Sequence, residues 1–447
     1  MHGHTEEIER LAAAILAYAE DRFRLDPVPL DHALPPDELE RRTGPTITED
    51  GLGGEEALRL FTEVLAPACI SIDHPRFLSF IPCAPTEAAT LFDLVVGASS
   101  IFGGTWLEAA GAIHAENHAL RWIADLAGLP APAGGVFVQG GTLGNLSALV
   151  TARHAARRAG RSADRWIVAA SDQAHSSIRT AARVMDVDVR LVPSDGDGHM
   201  RGDALAATLD EAGDAVFAVV ATAGTTNLGA VDRIDEAADE CARRGLWLHV
   251  DGAYGGAALA APSARHLFDG VERADSFVVD PHKWLFAPFD CCALLYRDPE
   301  TAREAHRQTA GYLEPVHTGE WNPCDYAINL TRRARGLPFW FSLAAHGTRA
   351  YTEAVERTLE VARYAAAEIG RRGRTHELLH EPDLSVVVFR RRGWSPAEYD
   401  DWSERLHRAN FAFVLPTTHD GETVTRLAIV NPRTTEADVS AILDTMA

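Results

Sequence analysis

Residues 246–256 read Leu-Trp-Leu-His-Val-Asp-Gly-Ala-Tyr-Gly-Gly. Leu246–Val250 is a short β-rich run, and it delivers an acid, Asp251, into a run of small residues. Working outward, the same rhythm repeats on both sides. Short apolar runs at Gly135–Val138, Arg165–Ala169, Val189–Val192 and Val216–Thr222 precede it, and Ser276–Val279 and Ala293–Tyr296 follow it. Helical stretches separate the earlier runs, at about Leu143–Arg158, Ser176–Met185, Asp203–Ala212 and Ile234–Arg244. Strands alternating with helices predict an α/β fold with a mostly parallel sheet covered on both faces. In such sheets the ligand crevice lies at the carboxyl ends of the strands, which is where Asp251 falls. The competing local reading of Asp251 is a helix N-cap.

The flanks differ in pattern. Residues 5–24 predict an amphipathic helix with Ile8, Leu11, Ile15 and Leu16 on one side, and a second helical segment follows around Gly54–Leu65. After residue 346 a long helix, Tyr351–Arg371, leads into strands near Leu384–Arg390, Phe411–Pro416 and Thr423–Ile429, a helix at Pro396–Ala409, and a last helix beyond Asn431-Pro432. The expected division is an N-terminal helical dimerisation segment at 1–73, a large α/β domain at 74–345 and a small α+β domain at 346–447.

Composition narrows the function. Of 42 lysine and arginine residues in 447, one is a lysine, Lys283, in Asp-Pro-His-Lys-Trp. Arginine replaces lysine as a source of charge, but it cannot deprotonate to a nucleophilic amine. The surviving lysine therefore points to amine chemistry. A net charge of −22 argues against a nucleic-acid partner. No apolar run is long enough to span a membrane, and the first residues resemble no secretory leader. Six cysteines without metal-ligand or disulfide-framework spacing fit a reducing cytoplasm and give zinc no support.

Gly140-Gly141-Thr142-Leu143-Gly144-Asn145 lies between a strand and a helix. Free N–H groups at a helix start suit a phosphate, while a plain tight turn is the competing reading. His175, before another helix, reads either as a capping residue or as a ring stacked on a ligand. A phosphate nest, an acid at a strand end and one amine together describe pyridoxal phosphate chemistry. The acid keeps a pyridine nitrogen protonated, and the lysine holds the aldehyde.

The ordered segments His74-Pro75-Arg76-Phe77, Val138–Leu146, Ala174–Ser177, Ala221–Ala230, His249–Gly256 and Pro281-His282-Lys283-Trp284 resemble the group II pyridoxal-phosphate-dependent amino acid decarboxylases, over roughly residues 70–345. The resemblance implies fold-type-I architecture and an obligate homodimer with its active site at the subunit interface. It implies Lys283 as the Schiff-base lysine, Asp251 as the pyridine partner, Ala253 beneath the ring and His175 stacked above it. Gly141 and Thr142 would hold phosphate, Thr222 would lie near the ring oxygen or the substrate, and His282 would bridge phosphate and substrate carboxylate. Tyr312, in a lid-like stretch at 311–327, would return a proton to Cα after CO2 leaves. Phe80, Ile81, Pro82, Cys83 and Phe102 would line an apolar pocket for an aromatic amino acid. Gly103-Gly104 would make room for a larger ring. Asp280 departs from the family pattern, and it is expected to turn away from a phosphate or offer only its backbone. The alternatives are an oxidative deaminase or aldehyde synthase on the same scaffold, a decarboxylase of a small polar or diamino acid, and a catalytically silent cofactor-binding protein.

Overall fold

The computed structural model describes residues 2–311 and 319–447. Seven strands form the main sheet: β1 Gly134–Val138, β2 Ile167–Ser171, β3 Asp188–Val192, β4 Val216–Thr222, β5 Trp247–Asp251, β6 Ser276–Val279 and β7 Cys292–Tyr296. Their order is β1-β7-β6-β5-β4-β2-β3. The pairings among β2 to β6 are parallel, and β7 runs antiparallel to both of its neighbours. The link from β6 to β7 holds only the four-residue helix Pro281–Trp284. That is too little chain for the crossover a parallel return requires.

All seven residues of β4 are buried, because helices cover both faces. Side chains alternate across a strand, so β2 and β4 feed two cores. Ala169, Val219 and Ala221 pack with Leu205 and Ile234 on one face. Val168, Ala170, Ala218 and Val220 pack with Leu149 and Ile178 on the other. Helix Gly141–Arg158 lies on the second face. Its buried Gly144 allows this: a Cβ there would sit 2.9 Å from Val278 Cγ1.

A second sheet is antiparallel, in the order β10-β11-β9-β8, from β8 His376–Leu378, β9 Val386–Arg391, β10 Pro416–His419 and β11 Glu422–Ala428. Helices Thr348–Arg371, Pro396–Arg408 and Glu436–Asp444 back it with a core of their own. Of the expected strand at Phe411–Pro416 only Pro416 is in a strand, as the start of β10. Residues 411–415 make a single bridge, Phe413 to Phe77, and their backbone bonds to Arg76 and Leu78. Their apolar side chains are satisfied by residues far away in sequence, which a local pattern does not register.

At the N-terminal end, Thr5 caps helix Glu6–Phe23. Leu11 rests against Gly54, but Ile8, Ile15 and Leu16 stay 42%, 41% and 51% exposed. Helices Glu87–Ala98 and Trp106–Leu126, for which the sequence reading made no provision, complete this side. Among the described residues no helix is long and apolar enough to cross a membrane.

Candidate active site

The parallel register sets Thr222 beside Asp251, and Asp251 beside Val278. The carboxyl ends of β4, β5 and β6 therefore open side by side, and a cavity of about 240 Å³ lies over them. Gly141, Thr142, His175, Thr222, Asp251, Ala253, His282 and Lys283 all line it, with Asn145, Tyr254 and Asp280. Eight residues expected from separate motifs thus meet at one crevice. Tyr312 lies outside the described residues.

Asp251 is 4% exposed and hydrogen-bonded by its own loop: Ala253 N–H donates to Oδ1 at 3.1 Å. Asn145 Nδ2 donates to Oδ2 at 2.8 Å. Lys283 reaches the cavity from the short helix after β6, and its side chain keeps 26% of its surface there. His282 is buried. Its Nδ1 accepts from Cys291 N–H at 2.9 Å, which leaves Nε2 for the cavity side. Burial lowers its pKa, partly opposed by Asp280. Tyr254 closes the floor, stacked on Trp284 at 5.3 Å and bonded through its hydroxyl to Ser385 at 2.6 Å.

Asp280 contradicts the expectation that it would turn away. Its carboxylate is 1% exposed and points into the cavity wall. Oδ2 lies 2.8 Å from Lys283 Nζ and accepts the Gly141 N–H at 3.3 Å, while Oδ1 has no partner. The reason is the lysine itself: without a neighbouring anion, an ammonium at this depth carries a large desolvation cost. Burial, the largest single effect, would lower the Lys283 pKa, but the Asp280 charge and hydrogen bond, joined by the Asp251 charge, together hold the amine above its usual value. Burial likewise works to raise Asp280, and Lys283 and His282 reverse the sign.

The five residues expected to meet substrate do not line this cavity. Phe80 is 60% exposed and lies among Phe77 and Phe413. Ile81 packs on the main core, Pro82 is buried, Cys83 Sγ donates to Ala287 O, and Phe102 bridges to Arg333. Gly103 and Gly104 open no void either. A Cβ at 104 would meet the Phe102 ring at 2.6 Å, and one at 103 the Ala334 backbone at 3.0 Å. Arg76 is structural, with Nε 2.7 Å from Asp438 and its guanidinium over Phe411.

Asn145 and His249 are among the site residues that escaped the sequence reading, as are Ser177 and Tyr254. Asn145 holds Asp251, and His249 holds Asn145 through Nε2 at 2.8 Å. The signal was present: Trp247, His249 and Asp251 alternate through an otherwise apolar strand, which places them on one face.

The donor set fits pyridoxal phosphate. The start of an 18-residue helix offers backbone N–H groups. A Cβ on Gly141 would come within 2.9 Å of Ala253 Cβ, so the cradle admits bare backbone only. The Thr222 hydroxyl is buried at the cavity without a partner. One amine faces the same space. Fold and site are those of a pyridoxal-phosphate enzyme. The conserved domain of pyridoxal-dependent decarboxylases matches residues 36–392, and the chain belongs to that family. It is 31% identical over 435 residues to an aromatic-L-amino-acid decarboxylase of Bacillus atrophaeus, covering 93% of this chain and 89% of that one. An Oryza sativa TDC solved with PLP and tryptamine superposes with a TM-score of 0.91 at 27% identity, over 100% of this chain and 99% of the other. A Rhodiola rosea 4-hydroxyphenylacetaldehyde synthase, 24% identical, shares the fold with a TM-score of 0.86 over 98% and 96%. The protein is a pyridoxal-phosphate-dependent carboxy-lyase.

Proposed function

We propose that the protein decarboxylates an aromatic L-amino acid to its amine, as a homodimer whose active site is completed at the subunit interface. The observation that carries the aromatic reading is the apolar set Phe80, Ile81, Pro82, Cys83 and Phe102, in a stretch with no basic residue between Arg76 and His114. A substrate-binding stretch of this composition would offer an acidic side chain no partner and would favour a ring. The similarity to aromatic-L-amino-acid decarboxylases supports the same choice.

Bound pyridoxal phosphate supplies the electron sink for the bond to the departing carboxylate. Lys283 would hold the cofactor covalently through its amine. Asp251, fixed by Asn145 and the Ala253 N–H, would accept from a protonated ring nitrogen. Ala253 and His175 would enclose the ring. Gly141 and Thr142 would hold phosphate at the helix start, and the unpartnered Thr222 hydroxyl would serve the cofactor or the substrate. His282, with Nε2 left for the cavity, would serve phosphate and the substrate carboxylate. Tyr312 would deliver a proton to Cα.

The interface reading rests on two features. Phe80, Ile81 and Phe102, which keep exposed surface, stand off the cavity of their own chain. Exposed apolar side chains also gather nearby in sequence: Leu91 at 47%, Leu94 at 53%, Val95 at 48% and Leu107 at 69%. Sedimentation should give a dimer. A panel of amino acids, with CO2 and amine both measured, should show turnover confined to aromatic substrates. Hydrogen peroxide and aldehyde without amine would overturn the reading in favour of an aldehyde synthase. Turnover of small polar or diamino acids alone would overturn the aromatic choice. No turnover, with cofactor bound, would leave a silent binding protein.

A further inference from the structure

Behind the cavity runs a chain of buried hydrogen bonds, and every proton in it has one possible position. Trp247, His249 and Asp251 share one face of β5, Ser276 pairs with His249 from β6, and Asn145 comes down from helix Gly141–Arg158. Ser276, His249 and Asn145 are each at most 1% exposed. The indole of Trp247 can only donate, and it donates to Ser276 Oγ at 2.8 Å. The serine proton is then free for His249 Nδ1, also at 2.8 Å. At the other end the Asp251 carboxylate can only accept, so the Asn145 amide must turn its NH2 to it. Asn145 Oδ1 therefore faces His249, and His249 Nε2 must carry the proton between them. Burial keeps this imidazole neutral, its pKa pushed down to about 4.

The second Asn145 amide proton goes to Ser177 Oγ at 2.9 Å, which leaves the Ser177 proton for His175 Nδ1 at 2.9 Å. Ser177 N–H donates to the same Nδ1 at 3.2 Å. His175 thus holds its own proton on Nε2.

We propose that Asn145 and His249 are positioning residues: one amide, oriented by one histidine tautomer, fixes both the Asp251 carboxylate as an acceptor and the His175 imidazole as the Nε2–H form. The consequence for the cofactor rests on the assignment of Asp251 and His175 made above. The assignment of His249 does not, and it can be tested in protein freed of cofactor.

Histidine labelled with 15N, compared with His249→Gln to identify the signal, should show a neutral Nε2–H imidazole that does not titrate between pH 5 and 8. Asn145→Leu should release His249 from that form, shift the His175 nitrogen signals, and weaken pyridoxal phosphate binding by about tenfold or more, as expected for loss of a buried bond to a charged group. Reconstitution followed by fluorescence measures the affinity. Should Asn145→Leu fail to fold, His249→Leu against His249→Gln gives the same comparison. The glutamine keeps a donor for Asn145 Oδ1 and should bind cofactor more tightly than the leucine variant. A His249 proton on Nδ1, or equal affinity in both members of the pair, would overturn the proposal. If Asp251→Asn leaves cofactor affinity intact, the assignment of Asp251 falls instead, and the His249 tautomer still decides the relay.

Discussion

Asp280→Asn keeps the shape of the side chain and removes its charge, and a single resonance reports the result. The chain has one lysine, so protein grown on lysine labelled at Nζ with 15N gives one side-chain signal to titrate. In the native site the Asp280 carboxylate and the Lys283 ammonium are 2.8 Å apart. At an effective dielectric of about 20, unit charges at that distance attract with about 6 kcal/mol. Water in the cavity and the hydrogen-bonding capacity of the new amide reduce this to the ~3–5 kcal/mol typical of breaking a buried pair. One pH unit corresponds to ~1.36 kcal/mol, so the Lys283 pKa should fall by about 2–4 units. The sign follows from the site: burial already works to lower this pKa, and Asp280, through its charge and its hydrogen bond, is the main group opposing it. Near pH 7.5 much more of the amine would then be neutral, and capture of an aldehyde by cofactor-free protein should quicken in the same variant. A fall of less than about one unit, or any rise, would refute the assignment of Asp280 as the counter-charge of Lys283.

Further outcomes follow from other parts of the molecule. Borohydride treatment of the loaded enzyme should fix the cofactor on the peptide that contains Lys283, and Lys283→Ala should abolish the label; a label persisting on another internal peptide would contradict the role given to this amine. Tyr312→Phe should divert product from amine toward aldehyde, read by parallel amine and peroxide assays, and an unchanged product ratio would remove Tyr312 from proton delivery. His199, 2.8 Å from Asp383, is held protonated mainly by that bond, against the opposing effect of burial. Its stabilising contribution is therefore full below the ordinary histidine value of about 6.5 and is lost as pH rises through the raised native value. Thermal melts should show His199→Gln less stable by about 1–3 kcal/mol at pH 6, with the gap closing toward pH 9. A gap that is constant or grows with pH would refute this.

Local sequence patterns determined much of the scaffold, because the strands of an α/β sheet are apolar on both faces and separated by helical periods. β4 to β6 and the helices Gly141–Arg158 and Thr348–Arg371 fall close to where that pattern puts them, while the 21-residue helix Trp106–Leu126 went unread. The pattern also brought out the phosphate cradle, Asp251 and the lone Lys283, since each chemical role restricts the residue type. It failed where partners are remote. Phe411–Pro416 reads as a strand, but 411–415 is held by residues 76–79 and only Pro416 joins the sheet, and β8 has only three residues, too short for periodicity to reveal.

The amino-acid sequence alone settled that a single nucleophilic amine sits among cofactor-type motifs, because no arginine can take that part. Only the tertiary structure decided how those motifs are charged and oriented. Asp280, read from sequence as a misfit beside phosphate, turns inward because a buried ammonium needs an anion more than the helix start needs an empty cradle. Asn145 and His249 become site residues only once parallel register and helix packing bring position 145 over the strand bearing 249 and 251. A donor's partner is a fact of three-dimensional distance, and residues 104 apart in the chain meet here at 2.8 Å.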